Sequence, residues 1–174
     1  MKEIIYNNDN VCENEINNEL KRAKIVIEND NGELLLVFSN NNYFLLGGHI
    51  ENNESDKQCI IREVIEESGV LIPFSESYPF MKIRYYCRNY PKDGLNTKYT
   101  NNYYFMKYNL VPDISNTSLT EDEKNGNFRL EYINKKDVVN VLEKSLDTAR
   151  RRIVVRDTID VIKEYLRLDN KKHE

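Results

Sequence analysis

Three glutamates, Glu63, Glu66 and Glu67, stand three and four residues apart, the spacing that stacks side chains on one side of a helix. Left alone, two such charges about 6 Å apart repel by ~0.7 kcal/mol in water and ~3 kcal/mol at an effective dielectric of ~20. A divalent cation reverses the sign of that interaction. Hard carboxylate oxygens favour Mg²⁺, which binds through a few carboxylates and keeps waters or phosphate oxygens in its remaining positions; Mn²⁺ accepts the same oxygen donors. A glutamate-rich helix face is more often a solvated surface, so the neighbours decide. A solvated face gives no reason for the diglycine Gly47-Gly48 at the end of an apolar strand, nor for Glu54 and Arg62 at fixed intervals between it and the cluster.

Residues 48–70 read GHIENNESDKQCIIREVIEESGV: Gly48, five residues, Glu54, seven residues, Arg62-Glu63, Val64, one residue, Glu66-Glu67, one residue, Gly69, then apolar Val70. This order resembles the Nudix box, and with seven residues and two apolar positions specified, a chance match in a chain of this size is on the order of 10⁻⁷. By the resemblance, Gly47, Glu63, Glu66 and Glu67 are metal ligands, Glu63 and Glu66 are also candidates for the base, and Arg62 orients a catalytic carboxylate with Glu54 as its structural partner. His49 takes no catalytic role by this analogy and reads as a loop residue. The implied fold is α/β, a Nudix-type α/β/α sandwich with a mixed β-sheet. The implied activity is Mg²⁺-dependent cleavage of a pyrophosphate bond in a nucleoside diphosphate linked to another moiety, such as a dinucleoside polyphosphate or a nucleotide sugar. The alternative is a Nudix-fold module that senses a nucleotide without cleaving it, since a fold alone does not set function. Loss of box carboxylates would favour the sensor, and none is lost.

The elements that must carry these residues are legible in outline. Ser55 as N-cap with Gln58 three residues on, and Gly69 as a left-handed terminator, delimit a box helix whose apolar stripe is expected to comprise Ile60, Ile61, Val64 and Ile65. Ahead of it, strands are expected at residues 23–28 and 33–38 around an Asp30-Asn31-Gly32 hairpin turn, with 43–46 feeding the diglycine. Behind it come strands at 78–90 and 99–110, a polar loop through Asn127, a strand at 128–133, and helices at about 135–144 and 148–168. The chain of 174 residues suits a single domain, with 1–22 as an N-terminal extension and the final helix within 146–174.

Composition limits the partners. A net charge of −4 argues against a protein that lives on extended nucleic acid, without excluding a small nucleotide substrate. No apolar run approaches a membrane span, and the N-terminus lacks the apolar core of a secretory signal. Three cysteines, Cys12, Cys59 and Cys87, lack metal-ligand spacing and suit a reducing compartment, so a cytoplasmic location is expected. A homodimer is compatible with this reading.

Substrate clues are sparse. Tyr86 lies sixteen residues beyond Val70, matching the placement of a tyrosine in family members that hydrolyse dinucleoside polyphosphates, although tyrosines crowd this stretch and aromatics suit strands for packing alone. Ser75 to Met81 is similar to the motif of the NADH-cleaving branch only in Pro79 and Phe80. Glu123, in the acidic stretch Glu121-Asp122-Glu123, is the candidate for one further carboxylate acting as general base, against the plainer reading of a surface loop or helix cap. Arg150 opens an arginine run near the start of the last helix, facing either a substrate phosphate or solvent.

Overall fold

Residues 1–171 are described by a computed structural model. Strand β2 (Asn18–Glu28) explains the layering. Its odd positions Ala23, Ile25 and Ile27 are fully buried on one side of the sheet, and Val26 is buried on the other, as the period-2 alternation of a strand requires. The first set packs with Cys59, Ile60 and Val64 of α1 (Asp56–Ser68). Val26 belongs to the second core, with Val138 and Leu142 of α3 (Val138–Ser145) and Val155, Ile159, Ile162 and Tyr165 of α4 (Arg152–Asn170). Two apolar cores, one on each face, make an α/β/α sandwich; each fully buried aliphatic side chain contributes ~1.5–3 kcal/mol.

The sheet has eight strands and is mixed. Its main path runs β1 (Lys2–Tyr6), β6 (Tyr78–Cys87), β7 (Thr97–Lys107), β2, β3 (Glu33–Ser39) and β4 (Asn42–Phe44), with β5 (Leu46–His49) paired to β2 and β8 (Arg129–Asn134) paired to β3. The pairs β1–β6 and β2–β7 are parallel and the others antiparallel. The 29–32 hairpin forms with Gly32 in the left-handed region, at φ +72°. No helix among the described residues is long and apolar enough to cross a membrane.

Several boundaries differ from expectation. Residues 1–22 are not a bare extension: they hold β1 and the first five residues of β2, which begins at Asn18 and pairs with β7 along its whole length. The segment NELKR hid this, because four of its five residues are polar and none of the five is buried against a core. The acidic stretch is a one-turn helix, α2 (Glu121–Asn125), and the last helix starts at Arg152.

Candidate active site

Helix α1 starts where its caps require. Ser55 Oγ accepts from the Gln58 N–H at 3.3 Å while Gln58 Oε1 accepts from the Ser55 N–H at 2.9 Å, and Gly69 closes the helix at φ +72°. Its buried face differs from the expected stripe. Cys59, Ile60, Val64 and Glu67 point inward, whereas Ile65 is exposed. Residues 60, 64 and 67 fall on one helical line, so Glu67 is carried inward by the same periodicity that buries the aliphatics.

The diglycine makes room for the carboxylates. Gly47 stands opposite Lys24 in the β2–β5 ladder at φ +114°, where a Cβ would lie 2.3 Å from the Ala23 carbonyl oxygen. Its N–H donates to Glu67 Oε2 at 3.1 Å. A Cβ on Gly48 would fall 2.1 Å from Glu63 Oε1, so that carboxylate occupies the space of the missing side chain. Arg62 ties the group together. Its Nε and Nη2 donate to both oxygens of Glu54, at 2.9 and 3.0 Å, a bidentate fork. Nη1 donates to Glu63 Oε1 at 2.9 Å and Glu66 Oε2 at 3.2 Å, and Nη2 also reaches the His49 carbonyl at 2.9 Å.

Electrostatics follow from depth. Glu67 is 4% exposed, and burial raises its carboxyl above the usual range while the nearby Lys24 ammonium pulls it back. Lys24 is half-buried, donates to the Leu45 carbonyl at 3.2 Å, and is lowered by burial with Glu67 opposing. Burial also raises Glu63, with Arg62 acting against it. Cys59 is buried beneath the diglycine, its Sγ 3.4 Å from the His49 carbonyl, and burial pushes its thiol up to about 11, the inert small hydrophobe expected.

Among the described residues, no three carboxylate, histidine or cysteine side chains converge closely enough to hold a metal ion as they stand. Glu63 and Glu66 are engaged by Arg62, and Glu67 by Gly47. The donor chemistry nevertheless suits Mg²⁺: three carboxylates on one helix edge, held beside a strand from which two side chains are missing, offer hard oxygens to a small cation.

A cleft of about 510 Å³ opens over this arrangement. Gly47, Glu63, Glu66, Glu67 and Arg62 line it, as do Glu123 and Arg150. Glu123 is also the capping partner of Thr120, accepting from its N–H at 2.7 Å through Oε2. Tyr86 is not in this cleft. Its hydroxyl donates to Glu13, and it borders a separate cavity with Tyr6 and Tyr85. The expected placement counted residues past the box, but the course of β6 puts that position elsewhere. His49, read as a loop residue, ends β5 and lines the cleft, its Nε2 2.8 Å from Arg22 Nη2.

Arg151, the second residue of the arginine run, lines the cleft beside Arg150, and other cleft residues went unread in the sequence: Arg22 and Lys24 on β2, Asn101 and Tyr103 on β7, and Asp157 on α4. Arg22 and Lys24 left a signal, two cations at period 2 in a strand otherwise turning apolar. Asn101 and Asp157 left none, because only strand pairing and helix packing bring them there.

The NUDIX domain family profile matches residues 20–154, and the chain belongs to this family. Among solved structures, a NUDIX hydrolase from Nitrosomonas europaea superposes with a TM-score of 0.60 at 19% identity, over 84% of this chain and 88% of that one. The MutT protein from Methanosarcina mazei Go1 does so with a TM-score of 0.53 at 17% identity, over 85% and 95%. The chain spans only 44% of a MutT/nudix family protein from Enterococcus faecalis, with a TM-score of 0.48 and 20% identity. At these identities the likeness is one of fold. A comparison with curated proteins finds no match.

Proposed function

We propose that this protein is a Mg²⁺-dependent pyrophosphohydrolase, with Mn²⁺ as a substitute ion, that cleaves a nucleoside diphosphate linked to a second moiety. One observation carries the reading: the box carboxylates share a single cleft with a further carboxylate, Glu123, and with the cations Arg22, Lys24, Arg150 and Arg151. Acidic groups for metal beside basic groups for phosphate are what a polyphosphate requires.

Gly47, through its carbonyl, and Glu63, Glu66 and Glu67 would hold the ion. When bound, it neutralises charge developing on the phosphates. Arg62, anchored by Glu54, fixes the directions of Glu63 and Glu66. Arg150 and Arg151, on the segment leading into α4, bind substrate phosphate across the cleft. Glu123 takes the proton of the attacking water, and its Thr120 cap sets its position. Three cysteines without disulfide partners support a reducing, cytoplasmic setting.

The test is a panel of nucleotide sugars, dinucleotides, dinucleoside polyphosphates and nucleoside triphosphates, incubated with Mg²⁺ or Mn²⁺ and read by product identity. Release of a phosphate-terminated pair of products by the wild type, lost in Glu67→Gln, supports the hydrolase. Binding without products would identify a sensor.

A further inference from the structure

Asn101 is an anomaly in the cleft. The residue is 5% exposed, and its Oδ1 is a buried oxygen with no hydrogen-bond partner. A buried acceptor left unpaired is costly, and such groups are rare in folded proteins. Asn101 nevertheless borders the cleft rather than the sealed core.

Its position follows from strand register. Arg22 stands opposite His49 on β5 and Asn101 on β7, so the three form one row across the sheet. The next row, two residues along β2, is Gly47, Lys24 and Tyr103. By strand spacing, Asn101 lies about 10 Å across the sheet and about 7 Å along it from Gly47. Phosphates held at the glycine edge and by Arg22 would leave the non-phosphate part of a substrate over Asn101. The Asn101 amide lies within hydrogen-bond reach of the Tyr103 hydroxyl, and because the second torsion of an asparagine side chain is soft, the amide can turn its oxygen toward the cleft when a donor arrives.

We propose that Asn101 is a specificity-determining residue: it accepts a hydrogen bond from an N–H or O–H donor on the bound nucleoside, an exocyclic amino group of the base or a hydroxyl of the sugar. The inference rests on the reading of the cleft as a nucleotide site, but it requires no turnover.

Calorimetric binding in Mg²⁺ buffer tests it, with pairs of nucleotides differing by one donor. The base arm compares ADP with purine riboside 5′-diphosphate, GDP with IDP, and CDP with its analogue lacking the 4-amino group. The sugar arm compares ADP with its 2′-deoxy and 3′-deoxy forms. In the wild type, removing the recognised donor weakens binding about tenfold or more. Asn101→Leu abolishes that ratio, and Asn101→Asp, which keeps an acceptor in the same place, retains it even if overall affinity falls; Asn101→Ala replaces the leucine variant should the latter not fold. Which arm shows the ratio identifies the source of the donor. The proposal is overturned if no pair differs in the wild type, if the ratio survives in the leucine or alanine variant, or if it is lost in the aspartate variant. A protein that discriminates in binding but forms no product would lose the hydrolase reading and keep this one.

Discussion

Glu63 occupies the place of a side chain that Gly48 lacks: a Cβ built on Gly48 would stand 2.1 Å from Glu63 Oε1 and 2.4 Å from its carboxyl carbon. Strand β5 and helix α1 are matched at this point, with a glycine serving as the seat of a carboxylate.

Alanine at the two glycines should therefore separate function from folding. In Gly48→Ala the clash is with the far end of a flexible side chain, so the fold survives while Glu63 is displaced, and turnover falls ~10- to 10²-fold with a melting temperature near that of the wild type. In Gly47→Ala the clash is with the Ala23 backbone at positive φ, and stability falls by roughly 2–4 kcal/mol. Thermal melts and initial rates on both variants check the contrast; equal melting temperatures would refute it.

Glu66→Gln and Glu67→Gln should each lower turnover at least ~10²-fold, since each removes a carboxylate that would ionise to hold the metal, at nearly constant volume. For Glu67 the fold should tolerate the change, because burial already disfavours its ionised form. Near-normal turnover of both variants at saturating Mg²⁺ would remove the box from the mechanism.

Mg²⁺ should raise the melting temperature of the wild type, since an ion that binds only the folded state stabilises it by mass action. Replacing Glu63, Glu66 and Glu67 together by Gln should abolish the shift. A shift that persists in the triple variant would place the metal elsewhere.

Glu123→Gln distinguishes base from cap. Gln preserves the capping box with Thr120, so α2 should stay formed while proton acceptance is lost. Turnover should fall ~10²-fold with little change in KM, and Glu121→Gln should be mild, because Glu121 pairs with Lys124 at 2.9 Å and does not line the cleft. Wild-type kinetics in Glu123→Gln would return the base to Glu63 or Glu66.

Asp157 predicts a pH dependence of stability. Burial raises its carboxyl from 3.8 to about 6, although the Tyr85 hydroxyl donates to it and opposes the shift. The folded state thus prefers the protonated acid. Its contribution is fully present below about pH 4 and is lost as the pH rises through about 6, amounting to about 1–3 kcal/mol. Asp157→Asn should remove that loss, so its stability relative to the wild type rises between pH 4 and pH 7. Denaturant melts across this range check it; parallel stability curves would contradict it.

The sequence by itself determined the local features. The Ser55 and Gly69 caps, the hairpin at Gly32 and the turn-by-turn spacing of the box are set by residues within a few positions of one another, and all were readable. The pairing of Arg62 with Glu54 spans eight residues and was expected from the box resemblance. Where neighbours in space are distant in the chain, reading failed. The inward turn of Glu67 depends on which side of α1 the sheet lies, and the chain alone named Ile65 for that stripe. Tyr86 was placed by counting, yet the path of β6 carries it away from the cleft. Lys24 came near Glu67 only through the antiparallel β2–β5 ladder, which sets Gly47 between them, and Asn101 and Asp157 entered the same cleft only through the parallel β2–β7 ladder and the packing of α4. These contacts join segments dozens of residues apart, and their geometry follows from burying two apolar cores on opposite faces of one sheet, a condition no local pattern of residues contains.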